Sequence, residues 1–336
     1  MNTEASSPAR QRLARRAHLL PDFLAVARAG GIRQAAEQVS ITQSALTRRI
    51  QELESALGVD LFERSVLGMR LTPFGQALRH HAERMELDCG YAAAEISEML
   101  GGEGGELRVA AGPAWAHEIA PDAAGQLLES MPGVRLSLST GMNEVSLPML
   151  KAGELDVVLG GLPAEAERWP ELAYLPLIRV EHEVFASLAH PLRRKRSVSP
   201  KALSEHPWIW LRDAVSARAL VSGMFGNAGL AMPPGAVETS SMQFGFRLLM
   251  RGRHLMVLPS TLRRAAAREG LGPLRLAVPI GSFVAGAIHR PTLERLKVFR
   301  CFKQALLEQA RAAESNIAGR SGGAQRAKGG ERSFTA

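Results

Sequence analysis

The sequence predicts an N-terminal, all-α winged helix-turn-helix, then a long linker helix, then a C-terminal α/β domain of two doubly wound subdomains. Three observations carry that prediction. A short helix, a tight turn at Val39-Ser40-Ile41 and an amphipathic helix over 42–57 follow one another early in the chain. An apolar series at helical spacing then runs from Phe74 to Met99. Past a glycine cluster at 101–105 the pattern changes to alternating strands and helices, which points to a parallel, wound sheet. The length of 336 residues suits about two domains.

Composition narrows the class. With 46% hydrophobic and 22% charged residues the chain is neither collagen-like nor wholly disordered. No apolar run approaches the ~18–20 residues of a membrane span, so no membrane partner is expected. Arg10, Arg12, Arg15 and Arg16 precede an apolar stretch, and Ala27-Arg28-Ala29 imitates a cleavage site. Pro21, Asp22 and Arg28 interrupt that stretch, so it is no signal peptide. Residues 1–17 read as a flexible arm. Cys89 and Cys301 offer neither a disulfide framework nor a metal pair, which suits a reducing cytoplasm. The net charge of +8 invites a polyanionic partner. Its distribution matters more than its total, because Met1–Thr72 holds ten basic against seven acidic residues.

Residues 18–72 form the winged helix-turn-helix. Leu20, Phe23, Leu24 and Ala27 mark one helix face, and Gly30-Gly31 ends it. A short helix spans about 32–39. Thr42 is a good N-cap for the next, whose buried stripe is Leu46, Ile50, Leu53 and Leu57, with Gly58 as its stop. Two β-prone pieces around Gly68 make a small wing. Thr72-Pro73 starts a helix over 73–100. There Phe74, Leu78, His81, Met85, Cys89, Ala92, Ile96 and Met99 recur every three or four residues. That period fits pairing with a second helix; lying on its own domain is the alternative.

After the hinge, residues 106–311 are divided as subdomain I (about 106–162 and 261–311) and subdomain II (about 163–260). Strands are expected at 107–111, 134–139, 155–159, 172–176, 183–188, 208–211, 255–258, 274–278 and 283–288, and 237–239 leads into a helix. Helices are expected at 115–130, 143–152, 218–226, 241–250 and 292–311. The tail 312–336 lacks core formers and reads as disordered.

The helix over 42–57 carries the chemistry. Its polar face offers Gln43, Ser44 and Thr47 in the first turns, where base edges would be met in a major groove. Gln51 shares that face. Arg48 and Arg49 suit phosphates, as do Arg64 and Arg70 beside the wing. Nothing points to catalysis, since neither Gly-x-Ser-x-Gly nor His-Glu-x-x-His occurs and the histidines are scattered. No metal or other cofactor is expected.

Phe23-Leu24-Ala25-Val26-Ala27, Ala35-Ala36, Thr42 to Ile50, Leu53-Glu54, Leu57-Gly58, Leu61 to Arg64 and Leu71 to Gly75 resemble the DNA-binding segment of LysR-type transcriptional regulators. The order of the remaining parts, ending in two subdomains of periplasmic-binding-protein type, is also similar. Ser44 stands where Pro is common, Thr47 where Ser is common, and Gly31-Ile32-Arg33 replaces the usual Gly-Ser-Phe-like segment. These departures touch fine base preference, and Arg33 joins Thr42 among the candidate DNA contacts. The resemblance implies that Gln43, Thr47 and Arg48 touch promoter DNA at an interrupted inverted repeat. It implies a homodimer or homotetramer that acts with RNA polymerase, and a small coinducer that alters DNA bending.

In wound domains a ligand lies beyond the strand C-termini. That places Pro113, Ala114 and Trp115 after the first strand, and Gly141, Met142 and Asn143 after the second. Gly160 and Gly161 open the crossover. Arg212, Asp213, Ser240, Ser241 and Met242 occupy equivalent turns of the second half. Helix N-termini there suit a carboxylate, so the effector is read as an organic acid or a sugar-derived metabolite. Trp115 reads either as a stacking platform or as a core-edge aromatic, and Ser240 and Ser241 as ligand contacts or as caps. The run Arg193-Arg194-Lys195-Arg196 is either a solvated loop or a contact with DNA or polymerase. An architectural DNA protein with a vestigial ligand fold, and a small-molecule enzyme or solute carrier, remain the rival readings.

Overall fold

The computed structural model describes residues 8–65, 68–102, 104–212 and 214–326. Expectations for residues 1–7, 66–67, 327–336, Glu103 and Asp213 lie outside the described residues. The chain divides into two compact units, Met1–Ala94 and Glu95–Ala336.

In the first unit, α1 (Pro8–Arg15) leads through a 3-10 turn to α2 (Leu20–Ala29), α3 (Ile32–Gln38) and α4 (Gln43–Leu57). The strands β1 (Phe62–Ser65) and β2 (Gly68–Leu71) pair antiparallel as the wing, and α5 (Pro73–Met99) follows. Leu20, Phe23, Leu24 and Val26 of α2 pack with Ala35, Ala36, Leu46, Ile50, Leu53 and Leu61 in one core. Gly30 ends α2 at φ 67 and donates to Val26 O at 3.0 Å. The turn between α3 and α4 is made by Ser40 at φ 54, the one non-glycine with positive φ among the described residues.

Two expectations for this unit change. Part of the supposed flexible arm is α1, because Leu13 packs onto the core and Arg16 pairs with Glu52 of α4 at 2.6 Å. Leu78 leaves the exposed stripe of α5: only 7% exposed, it joins Ala82 in the winged-helix core. Gly75 lets α5 run against the chain ahead of the wing, where a Cβ would strike the carbonyl of Leu61.

The second unit is a nine-stranded sheet with helices α6 (Pro113–His117), α7 (Ile119–Ser130), α8 (Asn143–Ala152), α9 (Pro200–Ser204), α10 (Val215–Asn227), α11 (Met242–Leu249), α12 (Arg263–Arg268) and α13 (Lys297–Arg326). Its strands are β3 (Gly105–Ala111), β4 (Val134–Thr140), β5 (Val157–Gly161), β6 (Ala173–Ser187), β7 (Trp208–Leu211), β8 (Gly235–Thr239), β9 (Leu255–Pro259), β10 (Leu271–Pro273) and β11 (Ser282–His289). The spatial order is β4-β3-β5-β11-β6-β9-β7-β8, with β10 on β6. The triples β4-β3-β5 and β8-β7-β9 are parallel, and β6 and β11 run antiparallel to their neighbours.

Several boundaries move. The two strands expected at 172–176 and 183–188 are one strand, β6, which pairs with β11 as far as Glu181 and with β9 from His182. The crossings therefore lie near 181–182 and 281–282 instead of 162–163 and 260–261. Residues 274–278 are not a strand; Leu274 and Leu276 pack in the core of subdomain II, and Leu276 makes a single bridge to Val198. The helix expected over 115–130 breaks at Glu118. The last helix begins after a 3-10 turn at Pro291–Arg295 and continues to Arg326, past the expected stop at 311. Asp156, 3% exposed, receives the Arg108 guanidinium at 2.8 and 3.0 Å and the Arg108 N–H at 2.8 Å, which fastens β3 to the start of β5.

Candidate nucleic-acid interface and ligand cleft

Thr42 caps α4, its Oγ1 accepting from Ala45 N at 3.2 Å. With Leu46, Ile50 and Leu53 buried, the opposite face leaves Gln43, Ser44, Arg48 and Gln51 exposed and Thr47 half-buried. The Thr47 hydroxyl donates back to Gln43 O at 2.8 Å, which fixes its rotamer and leaves its lone pairs turned to an incoming donor. Arg49 does something else. Its Nη1 lies 2.9 Å from Oδ2 of the buried Asp22, whose side chain is 9% exposed, so this arginine neutralises a buried charge on α2. It is thus not the free phosphate clamp that its spacing suggests. Arg33 is exposed and meets Glu37 at 3.4 Å.

The wing is tied on three sides. Met69 N donates to Gly30 O at 2.9 Å. Glu54 of α4 accepts from Leu61 N at 2.8 Å. Thr72 Oγ1 donates to Asp60 O at 2.7 Å and accepts from Gly75 N at 3.1 Å, capping α5. Arg70 on β2 is exposed and borders an open groove of about 700 Å³ that Gln76, Arg79 and His80 also line. Arg64 lies on β1 opposite Met69 in the backbone register.

Along α5, Phe74, Met85, Ile96 and Met99 are between 45% and 82% exposed. His81, Cys89 and Ala92 are exposed as well. Except for Leu78, the predicted seam is an uncovered stripe.

The turns expected to hold a ligand lie where the parallel strands of the two subdomains end. Ala114 and Met142 follow β3 and β4, while Ala214 follows β7 and Met242 opens α11. All four are partly buried against one apolar cluster that includes Phe246 and Leu258. His117 meets Phe246 edge-on, with centroids 6.0 Å apart. Asn143 is a latch: its Nδ2 donates to Gly161 O at 2.6 Å, and a Cβ on Gly160 would strike its side chain. Gly141 donates to Ala111 O at 3.1 Å and sits against Ser146. Trp115 is 6% exposed and belongs to the core side of the turn, beside half-buried Pro113. Ser241 is the cap of α11, accepting from Phe244 N at 3.2 Å. Ser240 and Arg212 are exposed, and the Arg212 N–H reaches Thr239 O at 2.9 Å.

Ala214, His117, Phe246 and Glu118 were not anticipated. Ala214 was within reach, because it follows β7 as Ala114 follows β3. Burial pushes the Glu118 carboxyl above its usual range, opposed by His117 and by Arg264 and Arg268 on or beside α12. Among the described residues no cluster of His, Cys, Asp or Glu is arranged to hold a metal, and no helix is long and apolar enough to cross a membrane.

Residues 18–76 match the family model described as bacterial regulatory helix-turn-helix protein, lysR family. Residues 100–311 match the LysR substrate binding domain. The transcriptional regulator PcaQ of Agrobacterium fabrum is 28% identical over 75% of this chain and 81% of its own. The regulator YdcI of Escherichia coli is 28% identical over 80% and 85%. Among solved structures, a full-length OxyR variant from Pseudomonas aeruginosa superposes with a TM-score of 0.62 at 21% identity, covering 86% of this chain and 94% of that one. Full-length CbnR in complex with its target DNA gives 0.56 at 21% identity, covering 87% and 99%. With both family segments matched in order, and with the helix-turn-helix, wing and two-subdomain sheet in place, the chain belongs to the LysR-type family of DNA-binding transcriptional regulators.

Proposed function

We propose that α4 enters the major groove of promoter DNA, with Gln43, Ser44, Thr47 and Gln51 meeting base edges and Arg48 gripping a phosphate. Thr42 shapes the first turn, and Arg33, Arg64 and Arg70 add backbone contacts from α3 and the wing. Arg49 contributes mainly by holding α4 to α2. The observation that carries this reading is the division of α4 into a buried apolar stripe and an exposed polar face with a fixed, capped N-terminus. Sequence choice then comes from the base-edge set and affinity from the cations.

The exposed stripe of α5, from Phe74 to Met99, pairs with the same stripe of a second copy, giving a homodimer or homotetramer. A small coinducer occupies the cleft between the subdomains and modulates promoter bending. Its walls of Ala114, Met142, Ala214 and Met242 suit the apolar body of an organic acid or a sugar-derived metabolite, whose charged or hydroxyl groups need polar partners at the rim. Arg212 and Ser240 supply polarity nearby. Cooperation with RNA polymerase and a cytoplasmic location follow from the regulator's role. In subdomain II, Arg193 to Arg196 are all exposed, and Arg193 donates to Pro273 O at 3.0 Å, so the basic run is anchored at its first residue and open to a partner at the other three.

Electrophoretic shift on the gene's own upstream region tests the reading. Binding that depends on sequence and weakens with salt supports it; equal binding to random duplex overturns it.

A further inference from the structure

We infer that α1, which precedes the matched family segment, is a second DNA-contacting element that grips the phosphate backbone beside α4. The inference rests on α4 being the reading helix. The family model begins at residue 18, so Pro8–Arg15 is an addition ahead of it. From Pro8 to Ala17 the chain holds four arginines and no acid. It is nevertheless docked: Leu13 packs on the winged-helix core, and Arg16 Nε lies 2.6 Å from Glu52 Oε1 on α4.

Arg16 is the turn residue that follows α1, and its pair with Glu52 anchors the end of α1 to the helix that carries Arg48 one turn earlier. Arg12, Arg15 and Arg48 are all exposed. Glu52 of α4 is already matched by Arg16, and no ion pair to Arg12 or Arg15 occurs among the described residues. A cationic rim whose local acid is neutralised has an outside polyanion as its natural partner, and the duplex read by α4 supplies one. Because α1 is already ordered, bringing its arginines to phosphate costs less conformational entropy than drawing in a loose arm. Phosphate contacts of this kind add affinity without sequence preference.

The test uses the full chain and the double variant Arg12→Gln/Arg15→Gln, with fluorescence anisotropy on the upstream target and on a random duplex across a salt series. Each lost phosphate contact flattens the slope of log K against log salt by about 0.9, so the double variant is expected to lose roughly 1.8 per bound subunit. At 0.15 M salt this corresponds to roughly 10- to 30-fold weaker binding, equal for both duplexes, with the target-to-random ratio unchanged. Arg12→Lys/Arg15→Lys is expected to keep most of the slope, and circular dichroism is expected to be the same for all three proteins. An unchanged slope in the Gln variant overturns the inference. The outcome is separable from that for α4: a wild-type chain that fails to discriminate target from random duplex removes the α4 reading, whereas a discriminating chain whose slope ignores Arg12 and Arg15 removes only the role of α1.

Discussion

Replacing Arg49 with alanine separates a structural arginine from a DNA-binding one. The side chain of Arg49 is 45% exposed and its Nη1 holds a carboxylate that is 9% exposed at 2.9 Å. Removing one partner of a fully buried pair costs about 3–5 kcal/mol. A fully exposed pair is worth about 0–1 kcal/mol. Asp22 is on the buried side of that range, and water screens the arginine, so the variant is expected to lose about 2 kcal/mol. For a unit of this size that lowers the melting temperature by roughly 8–16 °C. The loss falls on the first unit, so the assay is a melt of the full chain followed through two transitions. Asp22→Asn placed on top of Arg49→Ala is expected to restore about half the loss, because an uncharged amide is cheaper to bury than an unpaired carboxylate. The salt dependence of DNA binding is expected to change little. An Arg49→Ala protein that melts normally but loses about 0.9 from its salt slope would show that the phosphate, not Asp22, is the partner that matters.

Gln43→Ala and Thr47→Ala are each expected to lower base discrimination by about 1–3 kcal/mol, whereas Arg48→Ala weakens all duplexes alike; competition binding on a set of single-base variants tells these apart. Gly160→Ala is expected to displace the Asn143 side chain, break its bond to Gly161 O and cost about 1–2 kcal/mol, with a weaker response to any coinducer; urea unfolding and a DNA-bending assay read the two effects. Burial holds His182, His190, His206, His254 and His289 below the usual histidine range. The unfolded chain therefore takes up protons first, and stability present above the unfolded value of about 6.5 is expected to fall as pH drops below it. Glu118, pushed the other way, offsets part of this at lower pH, and unfolding of the second unit between pH 8 and pH 5 shows the net sign.

What the sequence reveals depends on whether a residue's role is local. The α4 helix is legible because its stripe, its Thr42 cap and its Gly58 stop all lie within one short segment. The same holds for α5 and for the strand ends of the first α/β half. Helix α1 is not legible: its composition is polar, and among the described residues Leu13 holds it to the core while Arg16, just after it, pairs with Glu52. Strand β6 is hidden because its two halves pair with different neighbours and because Pro176 and the polar stretch Arg179 to Glu183, whose charges alternate along one face, separate its two apolar ends. Glu183 in fact receives Arg263 of α12 in two short bonds. At the turns proposed for the ligand, topology names positions but not which side chains are already committed. Asn143 is tied to Gly161 at the end of β5 and Ser241 caps α11, and only the packed structure shows that Ala114, Met142, Ala214 and Met242 share one cluster.

These commitments bear on how a ligand signal can act. The reading face of α4 is fixed to the wing through Glu54, the wing to the α2–α3 turn through Met69 and Gly30, and α5 to α2 through Arg28 and Glu86 at 2.6 Å. Gly68 presses so close to Gly30 that a Cβ would meet its carbonyl at 2.6 Å. A polar network satisfied at this many points resists deformation one contact at a time, because breaking any member strands a donor or an acceptor. Reshaping α4 within its own unit is therefore the expensive route to regulation. Changing the spacing between whole readers is the cheaper one, since an exposed apolar stripe on α5 can shift in register against a second copy without leaving a polar group unpaired. Under the proposed pairing, control is expected to act on the geometry of two readers on one duplex, with base preference the same in both states.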